Sequence, residues 1–251
     1  MSKEKVFDKY ETRSPDYHFV QINKTSLKTF NAFVEARLKG MVEKVDRLAK
    51  SIEGEINILD VGCGDGVALF LIKELINNKK VNIFGVDQSE KAICVAKNKI
   101  TDGNFKVSSV YNIPFNDSYF DIVISSDVIE HVKKPENMLD EIKRVTRNNG
   151  FVVIGTPVKI TKFPLDHNHA QEFFTEDLVK LMETRFSNCQ LDESHNIITS
   201  LLYGYPTKNF INWKYLINII AIYLRYNPFL RTRKNKFQKF TYMYVTGQKN
   251  V

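Results

Sequence analysis

The sequence predicts an α/β fold, a mostly parallel sheet with helices on both faces. Three observations predict it. Short apolar runs of strand character alternate with segments of helical periodicity. The first run ends in a loop with glycine at every second position, Gly62, Gly64 and Gly66. A second run ends in a carboxylate, Asp87, about twenty residues beyond that loop, the spacing of a ribose-binding acid.

The elements follow in order. Residues 26–52 carry Leu27, Phe30, Phe33, Val34, Leu38, Met41, Val42, Val45 and Leu48 at steps of three and four, one apolar helical face. Residues 56–61 read as a buried strand, Val67 to about Asn77 as a helix, and 81–86 as a second strand. Ser89 suits the cap of a helix running to Ile100. Strands are expected at 104–109, 120–126 and 150–156. Between the last two, Pro135 suits a first helical turn with Met138, Leu139, Ile142 and Val145 inward. Thr175 suits the cap of a helix burying Leu178, Leu181, Met182 and Phe186. Strands near 188–198 and 240–247 complete the set.

Composition sets limits. With 251 residues, 43% hydrophobic and 26% charged, the chain can bury a core and is not of the disordered or collagen-like classes. No apolar run reaches the ~18–20 residues of a spanning helix. The charged start, MSKEKVFDKYETRS, lacks an apolar signal core, so a cytoplasmic location is expected. Cys63, Cys94 and Cys189 are too scattered for a disulfide framework or a zinc-thiolate site. The net charge of +7 is uneven. Nine of the 36 Lys and Arg, and none of the 29 Asp and Glu, fall after Glu193, so the rest of the chain is near neutral. A local basic region points to an anionic partner: a membrane surface, a phosphorylated substrate or nucleic acid.

The glycines let the backbone turn tightly and approach a ligand. The dinucleotide fingerprint would need glycine at Val67, which argues against an NAD-dependent oxidoreductase. Ile58-Leu59-Asp60-Val61-Gly62-Cys63-Gly64-Asp65-Gly66, Val86-Asp87-Gln88-Ser89, Ile113-Pro114-Phe115, Phe120-Asp121-Ile122-Val123, Ile129-Glu130-His131-Val132 and Arg144-Val145 recur in that order. Together they resemble the class I S-adenosylmethionine-dependent methyltransferases, in the branch of ubiquinone and small-molecule O-methyltransferases, over roughly residues 55–186. The resemblance implies a Rossmann-like seven-stranded sheet with the last strand antiparallel. It also implies S-adenosylmethionine over the first two strands. By the same resemblance Asp60, Gly62 and Gly64 hold the methionine end of the cofactor, Asp87 the ribose, and Gln88 lies beside the adenine. Ser126 and Asp127 open the loop near the sulfonium. Two positions depart from the family: Ser109 or Val110 stands where an adenine-binding Asp is common, and Asn148-Asn149-Gly150 replaces Pro-Gly-Gly before the fifth strand. The second turn can still form, because Asn tolerates left-handed backbone.

Methyl transfer to a hydroxyl calls for alignment and a base. Glu130 and His131 follow the fourth strand, and His169 lies in the loop Asp166-His167-Asn168-His169 that resembles the acceptor mouth of relatives. The catalytic candidates are therefore His131, His169 and Glu130. For each histidine the alternative is a backbone-bonded or solvated residue. Asp127, Glu130 and His131 form a D-x-x-E-H cluster similar to one that holds a divalent cation in ubiquinone-type relatives. No metal is assigned here. His18 and His195 are expected to be structural or surface residues, and Cys63 a packing residue.

The organisation expected is an N-terminal helical lid over 1–54 and a methyltransferase domain over 55–251. That domain holds a basic aromatic insert at about 199–236. The apolar segment from Phe210 through Trp213 and Tyr215 to Tyr223, followed by Arg231, Arg233, Lys234 and Lys236, suits three roles. It can cap the acceptor pocket, form a homodimer face, or contact a membrane peripherally through 210–236. No RNA-binding module accompanies the basic residues, which weighs against nucleic acid. The expected function is O-methylation of a small molecule, such as a sugar, quinone or lipid-linked intermediate. The alternatives are an inactive nucleotide-binding module and methylation of nitrogen or carbon acceptors.

Overall fold

A computed structural model describes residues 9–77, 79–160, 166, 168–204, 212–230 and 239–250. Its elements are α1 (Tyr17–Ile22), α2 (Ala32–Lys50), β1 (Ile56–Val61), α3 (Val67–Leu75), β2 (Val81–Asp87), α4 (Glu90–Lys99), β3 (Asn104–Val107), β4 (Phe120–Ser126), α5 (Pro135–Val145), β5 (Thr146–Pro157), α6 (Thr175–Glu183), β6 (Ser187–Asn196), α7 (Ile197–Gly204), α8 (Trp213–Tyr223) and β7 (Phe240–Gln248). The strands form one seven-stranded sheet in the order β3-β2-β1-β4-β5-β7-β6. β7 runs antiparallel to both β5 and β6, as expected for the last strand.

The sheet is covered on both faces because its strands are apolar on both. Ile56, Ile58 and Ile122 point to one layer, packed with Met41 and Val45 of α2, Leu69 of α3 and Ile93 of α4. Leu59, Val61 and Val123 point to the other, packed with Leu139 and Ile142 of α5 and Leu178 of α6. Strand order reverses between β1 and β4. The connections leaving those two strands part from one another, which opens a crevice at their carboxyl ends.

Four boundaries differ from the sequence reading. The fifth strand starts at Thr146 rather than at Gly150. The first long helix starts at Ala32 rather than near residue 26, because the Asn31 side chain accepts hydrogen bonds from Phe33 N and Val34 N and closes the first turn there. Leu27 and Phe30 precede it. Thr175 is the first residue of α6 and does not cap it; Phe174 holds the cap position. The third strand ends at Val107, where Ser108 and Ser109 turn the chain. Asn148-Asn149-Gly150 does not precede the fifth strand as a turn but lies within it, at an irregularity where the register with β4 shifts and Asn149 is left-handed at φ 62°.

Candidate functional site

The loop after β1 is shaped by positive φ at Gly62 (80°), Gly64 (54°) and Gly66 (83°). A Cβ at Gly62 would run into the Val128 side chain, and one at Gly64 into the Tyr10 hydroxyl. Glycine is therefore required twice over, by backbone conformation and by space. Asp87 at the end of β2 locks the loop: one carboxylate oxygen accepts from Gly64 N at 2.9 Å, the other from Ser89 N at 2.8 Å. Gly62, Gly64 and Asp87 line a cleft together with Asp60, Gln88, Ser109, Val110, Ser126 and Asp127. All seven residues expected at the cofactor thus border one cavity. Asp60 is buried at its floor, and burial, reinforced by the nearby Asp87 charge, pushes its carboxyl up to about 8.

The N-terminal segment packs on the glycine loop through Tyr10 and His18. Tyr10 is buried; its hydroxyl accepts from Asp65 N at 3.0 Å and bonds His18 Nδ1 at 2.9 Å. The Asp65 carboxylate accepts from His18 N at 2.8 Å and from Phe19 N at 3.3 Å. α1 makes no capping bond with its own Asp16 side chain, so the glycine loop supplies the acceptor for its exposed amino end. His18, expected to be structural or on the surface, lies on the cleft wall. His195 does match that expectation. It is buried, bonds Phe33 O through Nε2 at 2.9 Å, and burial lowers it to about 3.

Arg37 of α2 also enters the cleft. Its Nη1 lies 2.6 Å from Asp127 Oδ1, and its guanidinium stacks over Phe33 and Tyr242. Burial works to raise the Asp127 carboxyl, but the charges of Arg37, Lys9 and His18 and the Tyr242 hydrogen bond together hold it below the usual range. The D-x-x-E-H set is therefore not the cluster that assembles: Asp127 is committed to Arg37. Glu130, His131 and His169 instead bring their ligand atoms within 4.8 Å of one another, and that oxygen and imidazole set could hold a divalent cation.

Both imidazoles are oriented. Asn168 O lies 2.9 Å from His131 Nδ1; a carbonyl only accepts, so Nδ1 carries the proton and Nε2 is the basic nitrogen. His169 Nδ1 likewise bonds Glu172 Oε1 at 2.8 Å. Gln171 ties the two loops, donating from N to Glu130 O and from Nε2 to Val132 O. Burial lowers His131, with His169 adding to the effect, so its ring is neutral near pH 7. Burial and the Asp127 charge push Glu130 up to about 8, so it carries its proton there; its Oε2 accepts from Thr156 at 2.9 Å. Glu172 was missed. The signal was His169-x-x-Glu172, which looks like an ordinary helical pair until a buried carboxylate is found on the ring nitrogen. Cys63 is buried against the Gly85 backbone, and burial lifts its thiol well above the ordinary range, in keeping with a packing role.

A family model described as a methyltransferase domain matches residues 52–218. The chain belongs to that family. It has the class I S-adenosylmethionine-dependent frame, and S-adenosylmethionine is its cofactor. A ubiquinone biosynthesis O-methyltransferase of Dictyostelium discoideum is 27% identical over 73% of this chain and 66% of its own. A probable S-adenosylmethionine-dependent methyltransferase of Mycolicibacterium smegmatis is 27% identical over 55% of this chain and 54% of its own. The chain spans about half the length of the first curated relatives it matches. A putative sarcosine dimethylglycine methyltransferase of Galdieria sulphuraria shares the fold at a TM-score of 0.60, with 14% identity over 86% of each chain. The cleft of this methyltransferase fits the cofactor: its glycine cradle admits backbone approach and no Cβ, and Asp60 and Asp87 offer carboxylates to a cationic, ribose-bearing ligand. Among the described residues, none of α7 or α8 lines it.

Proposed function

We propose that the protein O-methylates a small-molecule hydroxyl, and that Glu130, His131 and His169 border the acceptor while Asp60, Gly62, Gly64, Asp87, Gln88, Ser126 and Asp127 surround the cofactor. One observation carries the reading. Two imidazoles, each with Nδ1 fixed by a carbonyl or carboxylate, converge with the buried Glu130 carboxyl, and one of them, His131, lines the cleft. Bound S-adenosylmethionine supplies an electrophilic methyl group on sulfur. A neutral imidazole Nε2 takes the acceptor's hydroxyl proton as its oxygen becomes the nucleophile. His169 is the better placed base, since Glu172 stabilises the imidazolium that forms. Glu130, protonated near pH 7, donates a hydrogen bond to the acceptor and adds no negative charge beside the forming oxyanion. The printed name of the Dictyostelium relative supports oxygen as the acceptor atom.

The same reading takes 1–54 as a lid held by Tyr10, His18 and Arg37, over a methyltransferase domain of 55–251. The test is single-turnover kinetics with a phenolic acceptor panel. His169→Ala should lose about 10²–10⁴ in rate with cofactor affinity intact, and the loss should shrink for acceptors already ionised. Full turnover by both His131→Ala and His169→Ala would sink the base assignment.

A further inference from the structure

The insert between β6 and β7 leaves an apolar surface unburied. α8 is anchored on one side only: Ile217, Asn218 and Ala221 are buried, packing with Phe30, Ala32 and Ala36 at the start of α2 and with Phe229. Asn218 makes this a specific seat, donating to Phe30 O at 2.7 Å and accepting from Ala32 N at 3.2 Å. The opposite side of α8 carries Tyr215, Leu216, Ile219 and Tyr223 at helical spacing, and all four are exposed, Tyr223 by 70%. The adjacent α7 exposes Ile198 and Leu201, the latter by 62%. Of the thirteen large exposed hydrophobic residues among those described, nine lie between Ile198 and Tyr226. A concentration of this kind marks an interaction surface, not the scattered apolar exposure of an ordinary exterior.

Charge tells what covers it. Residues 194–251 contain nine Lys and Arg and no Asp or Glu. Lys214 and Arg225 stand exposed at the two ends of α8. The cluster Arg231, Arg233, Lys234 and Lys236 lies outside the described residues and adds to the sum by sequence alone. Pairing two copies through this face would set cations against cations, which disfavours an isologous dimer. Aliphatic side chains flanked by tyrosines and lysine or arginine suit a lipid surface, where the rings sit at headgroup level and the cations meet anionic headgroups. No helix among the described residues is long and apolar enough to cross a membrane, so the contact is one of lying on the surface.

We infer that the outward face of α7 and α8 docks on an anionic lipid bilayer. The site is independent of which atom is methylated. It bears on access, because α8 sits on α2, and α2 carries Arg37 into the cleft. Docking therefore fixes the lid end of the enzyme relative to the membrane.

The experiment is co-sedimentation of the full chain with vesicles of neutral phosphatidylcholine and with vesicles that also contain an anionic phosphoglyceride. Binding should appear on the anionic vesicles at low salt and weaken about tenfold or more in high salt. Ile219→Asp with Tyr223→Asp should remove it, and so should Lys214→Glu with Arg225→Glu, while circular dichroism and cofactor affinity stay as in the parent. These positions face solvent, so the substitutions spare the seat on α2. Absence of binding at low salt overturns the inference. So does equal binding to neutral vesicles that survives charge reversal. A concentration-dependent dimer abolished by Tyr223→Asp would assign the face to a second copy instead.

Discussion

At the glycine-loop end of the cleft, shape comes from the main chain. Three left-handed glycines and two backbone N–H groups locked by Asp87 set the cavity wall, within residues 60–89. Around His131 the arrangement comes from side chains gathered across the chain: Arg37 from α2 and Asp127 after β4 on the cleft wall, with Glu130, His169 and Glu172 grouped about His131. The first is rigid because conformation leaves it no alternative. The second is rigid only as long as each hydrogen bond has its partner. A backbone-built end should fail all at once when a Cβ is added, and a side-chain-built end should fail in graded steps.

The largest effect should come from Gly64→Val. The new side chain must adopt a strained φ and displace Tyr10 from Asp65 N, so calorimetry should detect no S-adenosylmethionine binding. Tyr10→Phe keeps the ring and loses only the hydroxyl, and it should weaken binding by less than about tenfold. Equal losses in the two variants would mean that the lid, not the glycine backbone, shapes this end.

Next is Glu172→Gln, beside His169. The ring of His169 keeps a partner, but the imidazolium loses its carboxylate, so turnover should fall by about tenfold to a hundredfold, less than for His169→Ala. In the His169→Ala background Glu172→Gln should cost nothing further, because its effect runs through that ring. Additive losses would make Glu172 a packing residue.

This contrast explains what the sequence could disclose. Asp60, Gly62, Gly64 and Asp87 are readable because their spacing is local and the geometry they impose is almost unique to them. The register of β1 with β2 and β4, and the antiparallel β7, follow from apolar runs and from the order of motifs. The places of Arg37, Tyr10 and His18 were not readable. Their partners lie 90 residues away for Arg37 and Asp127, 55 for Tyr10 and Asp65, and 47 for His18 and Asp65, and no periodicity encodes such a pairing. Glu172 is local to His169, but its burial is not written in that spacing. The D-x-x-E-H cluster illustrates the hazard: adjacency in sequence suggested Asp127 as a third ligand, and a distant arginine had already taken it.

A smaller effect, a few degrees in Tm, should appear in the pH dependence of stability. Asp60 and Glu130 are both buried and raised to about 8, whereas in the unfolded chain both ionise near pH 4. Unfolding thus releases protons between about pH 4 and pH 8, and stability falls as pH rises across that window. The lowered imidazoles of His131 and His195 act in the opposite sense: the unfolded chain takes up protons below about pH 6.5, so stability falls again in acid. Thermal melts should therefore peak in mildly acidic buffer. Asp60→Asn and Glu130→Gln should each flatten the alkaline slope, additively, because neither carboxyl is among the causes of the other's shift. A slope untouched by either would place the protons elsewhere.

The smallest expected effect is a gain. The resemblance to class I methyltransferases implies an adenine-binding Asp at Ser109 or Val110, and Ser109 stands two residues past β3 on the cleft wall. Ser109 Oγ accepts from Tyr111 N at 3.2 Å, and an aspartate oxygen can take over that turn bond without rearranging the loop. Its second oxygen would then face the cavity as an added acceptor for the adenine amine, worth up to about 1.5 kcal/mol as a charged hydrogen bond. Against this stands repulsion from Asp87, at the same end of the cleft, which an added carboxylate strengthens. Ser109→Asp should accordingly tighten S-adenosylmethionine only a few-fold, with the gain growing slightly as salt screens the repulsion. A gain of a hundredfold would show that a side chain, not the glycine backbone, limits affinity here. The two regions would then differ in sequence locality alone and not in how they are built.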